Sequence, residues 1–377
     1  MGEKLKDKGR KIGVFSKSLR GIFLVVFVLV VLVAVVYFAL YKSGEASLKK
    51  QQQSNVPAIE SDQLQIEKIT NGLTNPIAWQ EGWVAYDGKI YEYDENALNL
   101  VIIGVDHEGV MDKQTDFSNW DSGQADTIFL LSMNSIKKKM SITGIPRNAM
   151  VNLEIYGKDG KCSETIYNQL CLQYAYAGGG EFGLSKMKER ISEIMYGMPV
   201  HGVCAISYDA LKIVTQSIGG VQVVVPEDMT IYFPGYTKGA VIDLDYDSVL
   251  AYLQYRDPTL VGSPSTRLSR QKEFLQAAMY KGISAIKQKP SMVSELYKAV
   301  TPYMNTDITM NEAVYIATEA LDYDLSPDAF YQISGEDKIT PYINEFGEDD
   351  FYDDYYLSED SVKEIMIKTC YKEVILN

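Results

Sequence analysis

Two aspartates and a set of arginines are the residues best suited to chemistry in this chain. Asp106 closes the apolar run NLVIIGVD (99–106), and Asp126 opens the apolar stretch TIFLLSM (127–133). Carboxylates at strand ends face the rim of a sheet, where α/β proteins bind ligands. Two hard oxygen donors leave room around Mg2+ for water and for substrate phosphates. The plainer reading of each aspartate is a turn cap. Arg267, Arg270 and Gln271 stand at i, i+3 and i+4, on one face of a helix. Arg256 ends the run YLQYR (252–256) just upstream, and Arg147 follows Pro146 at the end of a strand-like segment. Guanidinium forks bind phosphate oxygens in pairs and keep their charge. An anionic ligand accounts for such a cluster in an acidic chain, and a salt-bridged helix face is the ordinary alternative.

Other constellations are excluded more firmly. The chain has only two histidines, His107 and His201, too few for a multi-histidine metal site. No Ser-His-Asp or Cys-His arrangement is recognisable. Gly178-Gly179-Gly180 follows a helical pattern rather than a strand, so it reads as a turn and not a phosphate loop. Cys162, Cys171, Cys204 and Cys370 fit no zinc spacing. In an exported chain Cys162 and Cys171 could pair, and buried thiols fit equally well. A net charge of −14 argues against nucleic-acid binding, which needs a basic face.

Apolar strands alternating with helices must position these groups. Asn99–Asp106, Thr127–Met133 and Met140–Ile145 read as buried strands, with Asn134–Lys139 as a turn. Glu164–Tyr176 reads as helix. Asp209–Ile218 is a helix stopped by Gly219-Gly220, followed by a β-branched strand, Val221–Val225. Asp247–Tyr255 and the long Thr266–Gln288 read as helices, as do Asn311–Leu321 and Ser358–Thr369. The fold expected is α/β: one large domain with a central mixed sheet flanked by helices. An acidic, Tyr-rich stretch, Glu345–Asp360, reads as solvated surface and lacks the spacing of a calcium loop.

Residues Gly21–Tyr41 carry no charge. About 20 such residues span a hydrocarbon core of roughly 30 Å, whereas the apolar core of a signal peptide is shorter and ends at a cleavage site. Seven cations precede this run against Glu3 and Asp7, so the basic flank stays cytoplasmic. The expected organisation is a cytoplasmic leader (1–20), a transmembrane helix (21–41), a flexible linker (42–72), a catalytic domain (73–300) and an acidic extension (301–377). The protein is thus expected at the cell membrane, single-pass, with its domain outside the cytoplasm.

The series IIGVD (102–106), GQADTIFLLSMN (123–134), ITGIPRN (142–148), LQYAYAGGG (172–180), IGGVQVVV (218–225) and AYLQYRD…RLSRQ (251–271) resembles the LytR–CpsA–Psr family over about residues 99–281. The acidic tail is similar to an extension in clostridial-type members. The resemblance implies a phosphotransferase of the cell wall, with polyprenyl-pyrophosphate-linked glycopolymer and peptidoglycan as its partners. Its donor lipid would lie in an apolar tunnel. Carried over by position, Asp106 and Asp126 match the Mg2+-binding aspartates. Arg147, Arg256, Arg267, Arg270 and Gln271 match the pyrophosphate-binding set, with Asp126, Arg147 and Arg267 implied in catalysis.

Four positions depart from that pattern: Gln124 and Gln254 stand where many members have Arg, and Asn148 and Gln216 where many have Asp. Asn148 cannot act as a base, which leaves the general base unassigned. The departures keep open a non-catalytic polyprenyl-phosphate-binding protein on the same fold. A transcriptional regulator, suggested by older names in the family, is disfavoured by a cytoplasmic part of about 20 residues without a helix-turn-helix pattern.

Overall fold

A computed structural model describes residues 35–51, 56–61, 63–71, 78–118, 122–255, 264–323, 326–343 and 349–375. Its centre is a six-stranded mixed sheet. The strands of this sheet are labelled in chain order: β1 (Ala97–Val105), β2 (Ala125–Asn134), β3 (Lys139–Ile145), β4 (Gly202–Ile206), β5 (Met304–Thr306) and β6 (Phe330–Gln332). Their order across the sheet is β5-β4-β1-β2-β3-β6. β1 runs antiparallel to β2 and parallel to β4. β3 is antiparallel to β2 and parallel to β6.

The near-continuous apolar sequence of β1 follows from cover on both faces. Val101, Ile103 and Val105 point into one cluster, with Leu184, Met187 and Ile191 of helix α2 (Gly180–Ile194) and with Val362 and Met366 of helix α7 (Glu359–Cys370). The alternate residues Leu98 and Leu100 enter a second cluster, with Tyr315 of helix α6 (Met310–Ala320) and Leu275 and Met279 of helix α5 (Pro264–Gln288). A strand's period of two thus divides one sequence between two helical layers. A third apolar cluster joins the hairpin Val221–Val224/Val241–Leu244 to helix α4 (Val249–Gln254) and to Phe274. Helix α3 (Tyr208–Ser217) follows β4 directly. The α/β fold with a mixed central sheet is as the sequence implies.

Two expectations are corrected. The segment 162–169 is not helical: Cys162–Gln169 is a strand antiparallel to Met150–Tyr156, and only Gln173–Tyr176 makes a helical turn. Thr165, Ile166 and Tyr167 are β-branched or aromatic and favour the pleated pairing. The region 301–377 is no appendage. It supplies both edge strands of the sheet, β5 and β6, and α7 seals one face with Met366 and Cys370 almost wholly buried. The acidic Tyr-rich stretch forms a strand, Asp349–Leu357, paired with Gly335–Ile343.

The expected linker 42–72 is also ordered where it is described. Residues 35–51 form a helix, α1, and Gln63–Asn71 form another. α1 lies on α6, with Leu48 only 2% exposed in the second cluster. Tyr37 and Tyr41 reach Thr318 and Glu319 through their hydroxyls, and Ser47 donates to Glu312 at 2.6 Å. A Cβ at Gly44 would collide with the Asn311 carbonyl oxygen, so glycine permits the close approach. No helix among the described residues is long and apolar enough to cross a membrane, and most of the expected span, 21–34, lies outside them.

Candidate active site

Three adjacent strands bring the two aspartates and Arg147 to one rim of the sheet. The register of β1 on β2 pairs Gly104 with Thr127 and Val105 with Ala125. Asp126 is therefore the extra residue of a bulge, a device that turns a side chain out of the regular alternation. β2 and β3 pair Ile128 with Ile145, so the same register carried two residues further sets Asp126 opposite Arg147. On the other side, parallel pairing of Gly104 with Ile206 places Tyr208 level with Asp106.

The side chains complete this row. Arg147 forms an ion pair with Asp126, and its Nη2 donates to Gln124 Oε1 at 2.7 Å and to Cys171 Sγ at 3.1 Å. Burial disfavours the Arg147 charge, but the Cys171 sulfur and the Asp126 and Asp106 carboxylates outweigh it and raise its pKa. Tyr208 donates its hydroxyl to Asp106 Oδ1 at 2.6 Å. Burial, then the bond to Asp106 and that carboxylate's charge, push the phenol well above its ordinary range, and Asp126 adds to the effect. Both aspartates thus act on the same phenol and the same guanidinium. Asp106 is exposed, Asp126 and Arg147 half-buried.

Beneath Asp106, Gly123 holds φ at +86°, and a Cβ there would stand 2.6 Å from the Asp106 carbonyl oxygen. The Asp106 N–H bonds to the Gln124 carbonyl at 2.9 Å. The Gly178–Gly180 run, with φ positive at all three residues, is a turn into α2, as its sequence position implies. Cys171 is buried against Arg147 while Cys162 is exposed, and the two are not joined.

The remaining expected residues divide. Arg270 does not join the aspartates. It is 2% exposed, ion-paired with Glu227, bonded to the Tyr255 carbonyl and stacked 5.1 Å over the Tyr255 ring. Gln271, next to it, is half-buried. Arg256 lies outside the described residues, and so does the side chain of Arg267. Asn148 donates to the Asp353 carbonyl at 2.7 Å and accepts from the Tyr355 N–H, so it ties the C-terminal hairpin to the domain. Gln216 is exposed on α3. Tyr208 and Cys171 carry no site signal in the sequence, and Gln124 stands out there only as a departure from the family pattern. Only the register of β1 on β4, and of β2 on β3, reveals them.

Both carboxylates supply hard oxygen, and Arg147 is the one guanidinium described on them. Two such ligands completed by water and phosphate oxygens suit Mg2+. No group of three or more Asp, Glu, His or Cys side chains that could hold a metal occurs among the described residues.

The LytR_cpsA_psr family model matches residues 42–355. The chain is 24% identical over 234 residues to the polyisoprenyl-teichoic acid–peptidoglycan teichoic acid transferase TagU of Enterococcus faecalis, covering 61% of this chain and 67% of that protein. It is 26% identical over 234 residues to the TagT transferase of Bacillus subtilis, covering 59% and 63%. The alignments thus span about two thirds of these relatives. The fold is similar to the crystal structure of protein gbs0355 from Streptococcus agalactiae, with a TM-score of 0.53 and 20% identity over 74% of this chain and 93% of that one. With a family model matched over most of its length and this fold, the chain belongs to the LytR_cpsA_psr family.

Proposed function

We propose that this chain transfers a glycopolymer phosphate from a polyprenyl-pyrophosphate carrier to a sugar hydroxyl of peptidoglycan. The observation that carries the reading is the row Asp106–Asp126–Arg147, assembled at one sheet rim by a bulge and two registers. The relatives named as teichoic acid transferases support the reaction class. In the transfer, the acceptor hydroxyl oxygen forms a bond to the polymer-bearing phosphorus. The bridging P–O bond breaks, polyprenyl phosphate leaves, and the hydroxyl proton passes to a base or to water. Phosphoryl transfer needs positioning and charge neutralisation above all. Arg147 would meet the phosphate oxygens with its fork, and the aspartates would hold Mg2+. The ion, when bound, neutralises developing charge on the transferred phosphate. The apolar run 21–41 would keep the domain on the outer face of the cell membrane, beside its lipid-borne donor.

The test uses the full chain in detergent with a lipid-pyrophosphate saccharide, Mg2+ and peptidoglycan oligomers. Release of polyprenyl phosphate, lost in Asp106→Asn and in Asp126→Asn, is the expected result. No release beside a working control enzyme sinks the proposal. One observation favours a second reading, polyprenyl-phosphate binding without turnover. Gln124 bonds Arg147 where many members have a second Arg, and Asn148 is tied to the Asp353 carbonyl where many have Asp, so groups suited to catalysis are missing at both positions. That reading predicts ligand-induced thermal stabilisation with no release.

A further inference from the structure

A polar chain leads away from the aspartates. Tyr208 donates to Asp106 Oδ1 at 2.6 Å, and the Gln254 side chain lies beside the Tyr208 hydroxyl. Gln254 ends α4 and borders an open surface depression with Tyr232, Phe233, Ala251 and Tyr255. This depression is thereby linked through two side chains to one carboxylate of the acidic pair. An exposed aspartate is free to rotate about its Cβ–Cγ bond. A hydrogen bond to one oxygen removes that freedom and leaves the other oxygen presented.

We propose that Tyr208 and Gln254 are positioning residues. Tyr208 pins Oδ1 of Asp106 so that Oδ2 is offered to a divalent cation, and Gln254 steadies the phenol from the end of α4. Partners of this kind orient a ligating carboxylate, and their loss typically costs about 10–100-fold in metal affinity. Gln254, one of the four departures noted in the sequence, then has a role of its own: a neutral amide that orients the phenol where a guanidinium would compete for Asp106. This proposal rests on the reading of Asp106 as a cation ligand.

The test measures Mn2+ binding by the full chain in detergent, by calorimetry, for the wild type, Tyr208→Phe and Gln254→Leu. Tyr208→Phe keeps the ring and removes only the hydroxyl. Its Mn2+ affinity should fall 10–100-fold, and that of Gln254→Leu about tenfold, with metal-free melting temperatures unchanged. Raising Mn2+ should restore kcat to Tyr208→Phe, which a merely structural defect would not allow. Wild-type affinity in Tyr208→Phe overturns the assignment alone. So does a loss accompanied by a lowered metal-free melting temperature. A wild type that binds no Mn2+ overturns the cation reading and the assignment with it.

Discussion

Asp126 and Arg147 face each other across the β2–β3 pair, and their ion pair closes one end of the acidic row. Arg147 also reaches Gln124 and Cys171, so its fork is held from three sides. Replacing it by Lys keeps the charge but loses the planar fork. A lost charge-assisted bond costs about 1.5–3 kcal/mol, or roughly 10–150-fold in kcat/KM. Arg147→Lys assayed for polyprenyl phosphate release should show a fall in that range. Undiminished kcat/KM would remove Arg147 from the site.

Gly123 supports Asp106 from below. Alanine there meets the Asp106 carbonyl oxygen at 2.6 Å and must adopt a positive φ. Strain of this kind costs about 1–3 kcal/mol. Gly123→Ala should lower the melting temperature by several degrees and weaken Mn2+ binding together. A variant as stable as wild type contradicts the close approach.

His201 is 4% exposed, and its Nδ1 accepts the Asn99 N–H at 2.9 Å. Burial takes its pKa from the ordinary 6.5 down to about 4. The folded state therefore binds fewer protons than the unfolded one between those values. The contribution to stability, roughly 3 kcal/mol, is fully present above pH 6.5 and is lost as pH falls through 4. Urea midpoints measured from pH 7 to 4 should decline more steeply for the wild type than for His201→Asn, which keeps an acceptor but cannot titrate. Parallel curves would contradict this.

The docking of α1 depends on Leu48 and on Gly44. Leu48→Ala removes a fully buried side chain, a change that costs about 2–5 kcal/mol in cores. Gly44→Val inserts a side chain against the Asn311 carbonyl. Hydrogen exchange should show both variants losing protection in 35–51 while β1 and β2 keep theirs. Equal protection of α1 in Gly44→Val would mean that the contact does not hold it.

Much of the fold was legible because the central strands are short apolar runs bounded by polar residues. β1, β2 and β3 lie within two residues of where those runs place them, and Asp106 and Asp126 fall at their ends. The misses have physical causes. β5 and β6 are three residues each, too short for an alternation to register, so the tail looked like an addition. α1 presents Tyr37, Tyr41, Gly44 and Leu48 to its neighbour at three- and four-residue steps, but the polar residues between them hid the stripe. Tyr208 carries no sequence signal as a partner of Asp106, since only a parallel pairing of strands about 100 residues apart aligns the two. Arg270 shares a helix with Arg267, yet Glu227, 43 residues upstream, captures its guanidinium.

At 1.5 Å per residue, α1 is a strut roughly 25 Å long. It is bolted to α6 along its length, from Tyr37 to Leu48, and α6 packs against the sheet that carries the acidic row. A tilt or a pull applied at residue 35 is therefore passed along α1 rather than taken up within it. It acts as a torque on the sheet itself, and the rim bearing Asp106 and Asp126 keeps a set bearing relative to α1.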